Sequence, residues 1–437
     1  GGDDPEPPIT PPGPSAIRIT VNPAITHQEM IGFGGALTWY SNWAIGSTKN
    51  EIADLVFDDL GIDIVRFQNW YFPDNYPVDK TTDAMSYDNA KQLWQATNEW
   101  YDLAKARNPE VKILVSSWGP PKQLKSNDNY REGTLKKEND AFMYDAYAQY
   151  WVDALDHIPF DPDYISMQNE PTYLDSRWTT CDWNHVETAS LPSYMTAFDK
   201  VYDLIKDRDH VPVMIGPESQ DLLGSFTSFA DLLENKPHCG VLAYHPYNIN
   251  AGTSSSQIDL LMNTVAGYDN KPSLMTEFAD NLDWFNTAVF IQKTLNKANS
   301  SGYIYWKLLW ETDDITMVGL NSYGASTYTV TPFYYLIKHF SKDIDAGYFR
   351  VDASASAPLL NISAFRSPAG DKLTVIVINE GTTQATIDLA ATGKTIKSIS
   401  GNQSKSGTNY QPVTIVNPAD AIALPAKSIT TFVLTIE

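Results

Sequence analysis

The sequence of 437 residues has only two cysteines, Cys181 and Cys239, and seven histidines. Neither residue type occurs in a cluster with the spacing of zinc ligands, which argues against a zinc site. We therefore expect no metal and no other cofactor. The cysteine count is compatible both with one disulfide and with two buried free thiols.

Basic residues are also scarce, because 31 Lys and Arg stand against 53 Asp and Glu, which gives a formal net charge of −22. A negative field of this size repels phosphate backbones, so nucleic acid is not expected as a partner. The sequence has no run of 18 apolar residues, so we expect no membrane span. Nothing in it requires an oligomer, and we expect a monomer.

Residues 1–15 contain no apolar stretch and are rich in proline, glycine and aspartate. This composition predicts a disordered linker. A linker at this position is typical of the tether that follows a removed export signal, in some proteins behind a lipid anchor. We therefore expect a secreted, periplasmic or outer-surface protein. An ordinary frayed terminus is the alternative.

Strand-like and helix-like segments alternate along most of the chain. Helical periodicity covers residues 48–60, 89–106, 142–158, 194–205, 285–298 and 332–340, and Thr48 and Glu51 have capping-box spacing. This alternation predicts a (β/α)8 TIM barrel over residues 30–343. A doubly wound open sheet is the alternative, but no glycine-rich phosphate loop follows the first strand. The eight short apolar runs begin at Met30, Ile62, Val111, Tyr164, Val211, Gly240, Pro272 and Gly302.

The pattern changes at residue 344. Residues 344–437 contain short β-type segments separated by turn residues, with no helical pattern between them. This arrangement predicts a C-terminal all-β sandwich. Residues 16–29, which precede the barrel, also read as a strand, and we expect this strand to join the sandwich.

Two glutamates lie where predicted barrel strands end. Glu170 follows the fourth apolar run and Glu277 ends the seventh. Active sites of such barrels lie at the C-terminal ends of the strands, so the two carboxylates are expected to face each other. A facing pair is the minimum equipment for glycosidic bond cleavage, with one group protonated as the acid and the other ionised.

The other strand ends supply polar and aromatic groups. Arg66 ends the second strand and is suited to hold a carboxylate ionised, and Tyr247 after the sixth strand is positioned to donate a hydrogen bond to Glu277. Glu218 after the fifth strand is interpreted as a supporting group, with replacement of one of the pair as the alternative. The remaining candidates at the strand ends are Trp118, Asn169, His245, Trp306 and Trp310.

Taken together, these blocks resemble glycoside hydrolase family 30, which belongs to a clan of retaining (β/α)8 glycosidases. The resemblance extends over most of the chain and implies a side β-sandwich that takes an N-terminal strand. The matching blocks are Gly32-Phe33-Gly34-Gly35, Val65-Arg66-Phe67, Ser117-Trp118-Gly119-Pro120-Pro121 with Lys125-Ser126-Asn127, Met167-Gln168-Asn169-Glu170-Pro171, Cys181-Asp182-Trp183, Pro217-Glu218-Ser219, His245-Pro246-Tyr247, Met275-Thr276-Glu277 and His339-Phe340-Ser341-Lys342.

The resemblance implies a role for each matched site residue. It makes Glu170 the acid/base and Glu277 the nucleophile. It further implies that Asn169 bonds the 2-hydroxyl of the sugar at the cleavage point. Arg66, His245 and Tyr247 would brace Glu277. Trp306 would form the floor of the subsite for the sugar at the cleavage point, and Trp118 would line the same pocket.

Several of the matching blocks are most similar to those of the endo-xylanases of the family. Many of these enzymes recognise a glucuronic acid branch of the substrate through arginines just after the eighth strand. Here that stretch contains Leu309 and Trp310, and Glu311 follows. Neither Leu309 nor Trp310 can bind a carboxylate with two parallel hydrogen bonds, as the guanidinium of an arginine does. The resemblance thus implies an endo-β-1,4-xylanase that does not require glucuronate. The alternatives are a family-30 β-1,6-glucanase or other β-glycosidase, and a non-catalytic polysaccharide-binding protein.

Overall fold

The computed structural model describes residues 16–72 and 90–437. The linker predicted for residues 1–15 and the predicted helix start at Asn89 lie outside these residues. Two compact units are present, one of them His27–Arg350 and the other Val351–Glu437 with the described residues before His27.

The strands of the described residues are numbered in chain order. They are β1 (Ile17–Glu29), β2 (Gly32–Leu37), β3 (Ile64–Gln68), β4 (Lys112–Ser116), β5 (Lys137–Glu138), β6 (Ala141–Phe142), β7 (Tyr164–Ser166), β8 (Val213–Ser219), β9 (Cys239–Tyr244), β10 (Ser273–Phe278), β11 (Gly302–Tyr305), β12 (Leu309–Glu311), β13 (Val318–Leu320), β14 (Thr329–Val330), β15 (Phe349–Ala355), β16 (Leu360–Arg366), β17 (Lys372–Asn379), β18 (Ala385–Ala391), β19 (Ile396–Lys405), β20 (Thr408–Pro412), β21 (Ile422–Leu424) and β22 (Ser428–Ile436).

The helices are numbered in the same way. They are α1 (Gly46–Ala53), α2 (Ala90–Arg107), α3 (Tyr144–His157), α4 (Tyr194–Ile205), α5 (Ser225–Leu233), α6 (Ser255–Ala266), α7 (Trp284–Asn296) and α8 (Pro332–Ser341), with a π-helical stretch at Asp54–Asp59 and a 3₁₀ turn at Lys122–Leu124. Among the described residues, no helix combines the length and the apolar character that crossing a membrane requires.

Eight strands of the larger unit close into a barrel. In chain order they are β2, β3, β4, β7, β8, β9, β10 and β11, each paired in parallel with the next, and β11 pairs with β2. The predicted TIM barrel is therefore confirmed. Its strands are apolar because they are buried on both faces. Side chains of one core cluster come from six of the barrel strands: Ile64, Leu114, Ile215, Val241, Ala243, Leu274 and Ile304.

The first barrel strand approaches its neighbours so closely that two positions require glycine. A Cβ on Gly34 would lie 1.8 Å from the backbone oxygen of Ile64, and a Cβ on Gly302 would lie 2.0 Å from that of Gly32. These contacts explain the glycines at position 34 of β2 and position 302 of β11.

The predicted capping box at Thr48 is wrong. Helix α1 begins at Gly46 after Ile45, and no side chain caps it. Thr48 lies inside the helix and is buried, so its hydroxyl is not at the helix start. The spacing of Thr48 and Glu51 was therefore a chance match to the motif.

The smaller unit is all-β. Its nine strands form one continuous sheet in the order β20-β19-β22-β17-β16-β15-β1-β18-β21. Residues Ile17 to Val21 of β1 pair in parallel with Ile387 to Ala391 of β18. The predicted side domain and its N-terminal strand are thus confirmed. One apolar core is shared by strands from both ends of this sheet, and it includes Ile19, Val21, Val375, Val377, Ile387, Leu389, Phe432 and Leu434.

The two cysteines are buried free thiols rather than a disulfide. Burial raises the pKa of Cys181 to about 11 and that of Cys239 to about 12. Both thiols are therefore protonated near neutral pH and behave as small apolar groups.

Candidate active site

The barrel brings together the two glutamates that the sequence separates widely. Glu170 lies just beyond the end of β7, and Glu277 lies near the end of β10. A carboxylate oxygen of each, and a ring nitrogen of His245, lie within 4.8 Å of one another. Both glutamates line one cavity of about 400 Å³, a size typical of small-ligand sites.

Both oxygens of Glu277 are held by fixed donors. Arg66 Nη1 donates to Oε2 at 2.6 Å, and Tyr247 OH donates to Oε1 at 2.9 Å. Arg66 is fully buried and Glu277 is 6% exposed. The guanidinium and the hydroxyl therefore fix the position of both carboxylate oxygens.

Arg66 is the centre of a buried polar network. Its Nη2 donates to Asn169 Oδ1 at 2.7 Å and to Glu218 Oε2 at 3.1 Å, and its Nε donates to Ser116 Oγ at 3.1 Å. The Asn169 oxygen is thereby engaged, and Asn169 does not line the cavity, so its bond to the sugar 2-hydroxyl stays a prediction. Arg66 itself does not line the cavity.

Glu170 is in an environment that favours the protonated form. Burial raises its pKa, and the charge of Glu277 raises it further, although His245 and Arg66 act in the opposite direction. A buried carboxyl group with a raised pKa that opens onto a cavity is suited to donate a proton.

His245 contacts a different glutamate from the one predicted. Its Nδ1 lies 2.9 Å from Glu170 Oε1 but 4.0 Å from Glu277 Oε2, and its Nε2 lies 3.0 Å from Thr276 Oγ1. The ring is fully buried and is not part of the cavity wall. It therefore braces Glu170. Although burial opposes it, the neighbouring carboxylates raise the pKa of His245 to about 9.

Glu218 lies beneath the cavity and does not line it. It is completely buried, with hydrogen bonds from Arg66 and from Ser116 Oγ at 3.2 Å. Although burial raises its pKa, the Arg66 charge holds the pKa well below the usual range. This carboxylate is a fixed counter-charge, which favours the supporting role over replacement of a member of the pair.

Two of the three glutamates have strained backbone. Glu170 has φ of 47° and Glu218 has φ of 54°, in the left-handed region that non-glycine residues seldom adopt. The backbone N–H of Glu170 donates to the Glu218 carbonyl at 3.0 Å. Such strain costs about 1–3 kcal/mol per residue and is concentrated at functional sites.

Tryptophans form much of the cavity wall. Trp118, Trp306 and Trp310 are 3%, 5% and 8% exposed and all line the cavity, as does Tyr247. The ring of Trp306 lies 5.9 Å from that of Trp118 and 5.4 Å from that of Trp310. Flat apolar faces of this kind are suited to pack against a sugar ring.

The sequence analysis missed two further tryptophans of this wall, Trp39 and Trp178. Trp39 lies 5.4 Å from Trp178 and 5.3 Å from Trp306. Its indole N–H donates to Gln68 Oε1 at 2.9 Å. The signal for Trp39 was its place just after the first barrel strand, whereas Trp178 lies far from any strand end.

Glu170, His245 and Glu277 form a possible metal-ligand set among the described residues. The fit to a cation is poor, because both oxygens of Glu277 already accept hydrogen bonds from Arg66 and Tyr247. The buried guanidinium would also repel a metal ion. The cluster is better suited to acid–base and nucleophilic chemistry than to metal binding.

No protein-family model matches the chain. In sequence, it is 25% identical to the glucuronoxylanase XynC of Bacillus subtilis (strain 168), over 96% of this chain and 92% of that protein. In structure, it is similar to the catalytic domain of the GH30 xylanase C from Talaromyces cellulolyticus, with a TM-score of 0.75, 21% identity and 96% of this chain and 100% of that chain covered. It is also similar to the endo-β1,6-glucanase BT3312, with a TM-score of 0.70, 18% identity and 96% and 94% of the two chains covered.

Proposed function

We propose that this chain, a glycoside hydrolase that resembles family 30 and its xylanases, is an endo-β-1,4-xylanase that cleaves xylan by double displacement. It does so without need for a glucuronate branch. The substrate is a polysaccharide chain that lies in the tryptophan-lined cavity, with the scissile bond between Glu170 and Glu277.

One observation carries the mechanistic part of the proposal: carboxylate oxygens of Glu170 and Glu277 lie within 4.8 Å of each other. Retaining enzymes separate their two carboxyl groups by about 5–5.5 Å, whereas inverting enzymes separate them by about 6.5–9.5 Å to leave room for a water molecule. The short separation supports attack by a side chain, with retention of configuration.

In the first step, Glu277 attacks the anomeric carbon while Glu170 donates its proton to the leaving oxygen. The bond from that carbon to the leaving oxygen breaks, and an ester to Glu277 forms. In the second step, Glu170 removes a proton from water, which attacks the same carbon and releases Glu277. Arg66 and Tyr247 support the first step because their hydrogen bonds hold the carboxylate of Glu277 in place for attack.

The same geometry lets Glu170 change roles. In the free enzyme, burial and the negative charge of Glu277 raise the pKa of Glu170, which favours its protonated form. When Glu277 becomes an ester, its charge disappears and the pKa of Glu170 falls. The group is then a base at the step that needs one.

The substrate preference rests on the stretch after β11. Leu309 is buried at 1% exposure, Trp310 faces the cavity, and Glu311 is exposed. No guanidinium is offered by this stretch to a uronate carboxylate. A β-1,6-glucanase is the second candidate, supported by the structural similarity to BT3312.

A panel of linear xylan, arabinoxylan, glucuronoxylan and β-1,6-glucan tests the proposal. We expect new reducing ends from xylans without glucuronate, and loss of this activity in Glu277→Gln. If only β-1,6-glucan is cut, the xylanase assignment is wrong. If wild type and Glu277→Gln give the same background rate on every glycan, a polysaccharide-binding role replaces catalysis.

Export, the lipid anchor and the monomeric state stay predictions.

A further inference from the structure

Lys307 lies in the cavity wall between two aspartates. Its Nζ is 2.6 Å from Asp280 Oδ1 and 2.8 Å from Asp313 Oδ2, and it lies 5.7 Å from the centre of the Trp310 ring. The side chain of Lys307 is only 12% exposed. A lysine has three N–H donors, so two are used here and one is left for a ligand.

Asp313 fixes this lysine, and both of its carboxylate oxygens accept hydrogen bonds. Its Oδ1 accepts hydrogen bonds from the backbone N–H of Ile315 at 2.9 Å and from the N–H and hydroxyl of Thr316, both at 2.7 Å. Its Oδ2 accepts from Lys307. Asp313 is also absent from the cavity wall. It therefore acts as the anchor of the group.

Asp280 differs from Asp313 in every one of these respects. It lines the cavity beside Glu277 and Lys307, and its side chain is 49% exposed. Only Oδ1 is engaged, by Lys307, and within residues 16–72 and 90–437 no group donates to Oδ2. Its backbone has φ of 74°, which aspartate tolerates better than most residues. The loop after β10 thus presents a carboxylate oxygen that the fold itself does not use.

We propose that Asp280 and Lys307 form a hydroxyl clamp that selects an uncharged sugar unit on the nucleophile's side of the scissile bond. The inference rests on the proposed function. Asp280 Oδ2 accepts one hydroxyl and the free N–H of Lys307 donates to a neighbouring one, while the ring lies against Trp306 and Trp310. The clamp is adjacent to Glu277 and Trp306 in sequence and in space, which places it on that side.

The same group rejects an acidic branch. The single positive charge of Lys307 is matched by two carboxylates, so the three side chains together carry a charge of −1 when ionised. The exposed carboxylate of Glu311 is close in sequence and adds to this charge. A uronate carboxylate at this subsite would therefore be repelled by Asp280 instead of being paired with Lys307.

The test compares kcat/KM for a linear xylo-oligosaccharide and for the same oligosaccharide with a glucuronic acid branch. For Asp280→Ala we expect about a 10- to 100-fold loss on the linear substrate, the effect of removing a hydrogen bond to a charged group. The branched substrate should lose less, so the ratio of branched to linear activity rises. Asp280→Asn, which keeps the shape, should raise the ratio in the same direction.

Asp314→Asn is the matched control, because it removes an exposed charge beside Asp313, in the loop after β12, and Asp314 is not part of the clamp. It should leave both activities within about twofold, as expected for a surface substitution. An unchanged ratio in both Asp280 variants, in an active wild-type background, overturns the clamp alone. If wild type cuts no glycan of the panel, it is the proposed function that fails.

Discussion

Replacement of Arg66 by methionine should destabilise the barrel strongly. The guanidinium is completely buried and forms ion pairs with Glu277 at 2.6 Å and Glu218 at 3.1 Å. Methionine fills part of the space but removes the guanidinium from two buried carboxylates, which keep only His245, 4.0 Å from each, as a cationic neighbour. Removing one partner of a buried ion pair typically costs about 3–5 kcal/mol, and here two pairs share the same cation.

The free energy of unfolding is measured by urea denaturation of wild type and variant. We expect Arg66→Met to lose at least about 3 kcal/mol. The double variant Arg66→Met/Glu218→Gln removes one of the stranded charges and should be more stable than Arg66→Met alone. Arg208→Met is the control, because Arg208 pairs with Asp156 at the surface and such pairs contribute about 0–1 kcal/mol.

Two results would refute this reasoning. One is a cost for Arg66→Met no larger than that for Arg208→Met. The other is a double variant that is no more stable than Arg66→Met, because the loss would then come from packing and not from uncompensated charge.

Three further changes have expected outcomes. Tyr247→Phe removes a donor to Glu277 and should lower kcat/KM on xylan about 10- to 100-fold; a change under twofold contradicts this. Lys125→Met deprives three backbone carbonyls of a buried ammonium and should cost at least about 2 kcal/mol of unfolding free energy, in contrast to the near-neutral effect of Lys200→Met at the surface. Burial raises the pKa of Asp63 to about 8, so its contribution to stability is full below about pH 4 and is lost as the pH rises through 8. Asp63→Asn should therefore flatten this part of the pH profile of unfolding, and an unchanged slope contradicts the assignment.

The barrel was predictable because its strands are buried on both faces and read as short continuous apolar runs. Helix bounds were predicted within a few residues, as for α4 (Tyr194–Ile205). The cap of α1 was not predicted correctly, because a capping motif is a short pattern whose match says nothing about which way Thr48 points. Burial of that side chain is decided by tertiary packing.

The candidate site was predictable to the extent that strand ends locate its residues. The end of a strand places a side chain at the barrel mouth but does not say which neighbour it will contact. His245 therefore contacts Glu170 instead of Glu277. Trp178 was missed because it lies in a long loop, and only the folded loop brings it against Trp39.

The configuration of the first product tests the central claim most directly. Proton NMR of a β-xylo-oligosaccharide digest, recorded before mutarotation, resolves the anomeric proton of the new reducing end. If Glu277 attacks first and a water molecule activated by Glu170 attacks second, the β-anomer should appear first. Initial formation of the α-anomer would mean single displacement by water, which contradicts the assignment of Glu277 as a nucleophile.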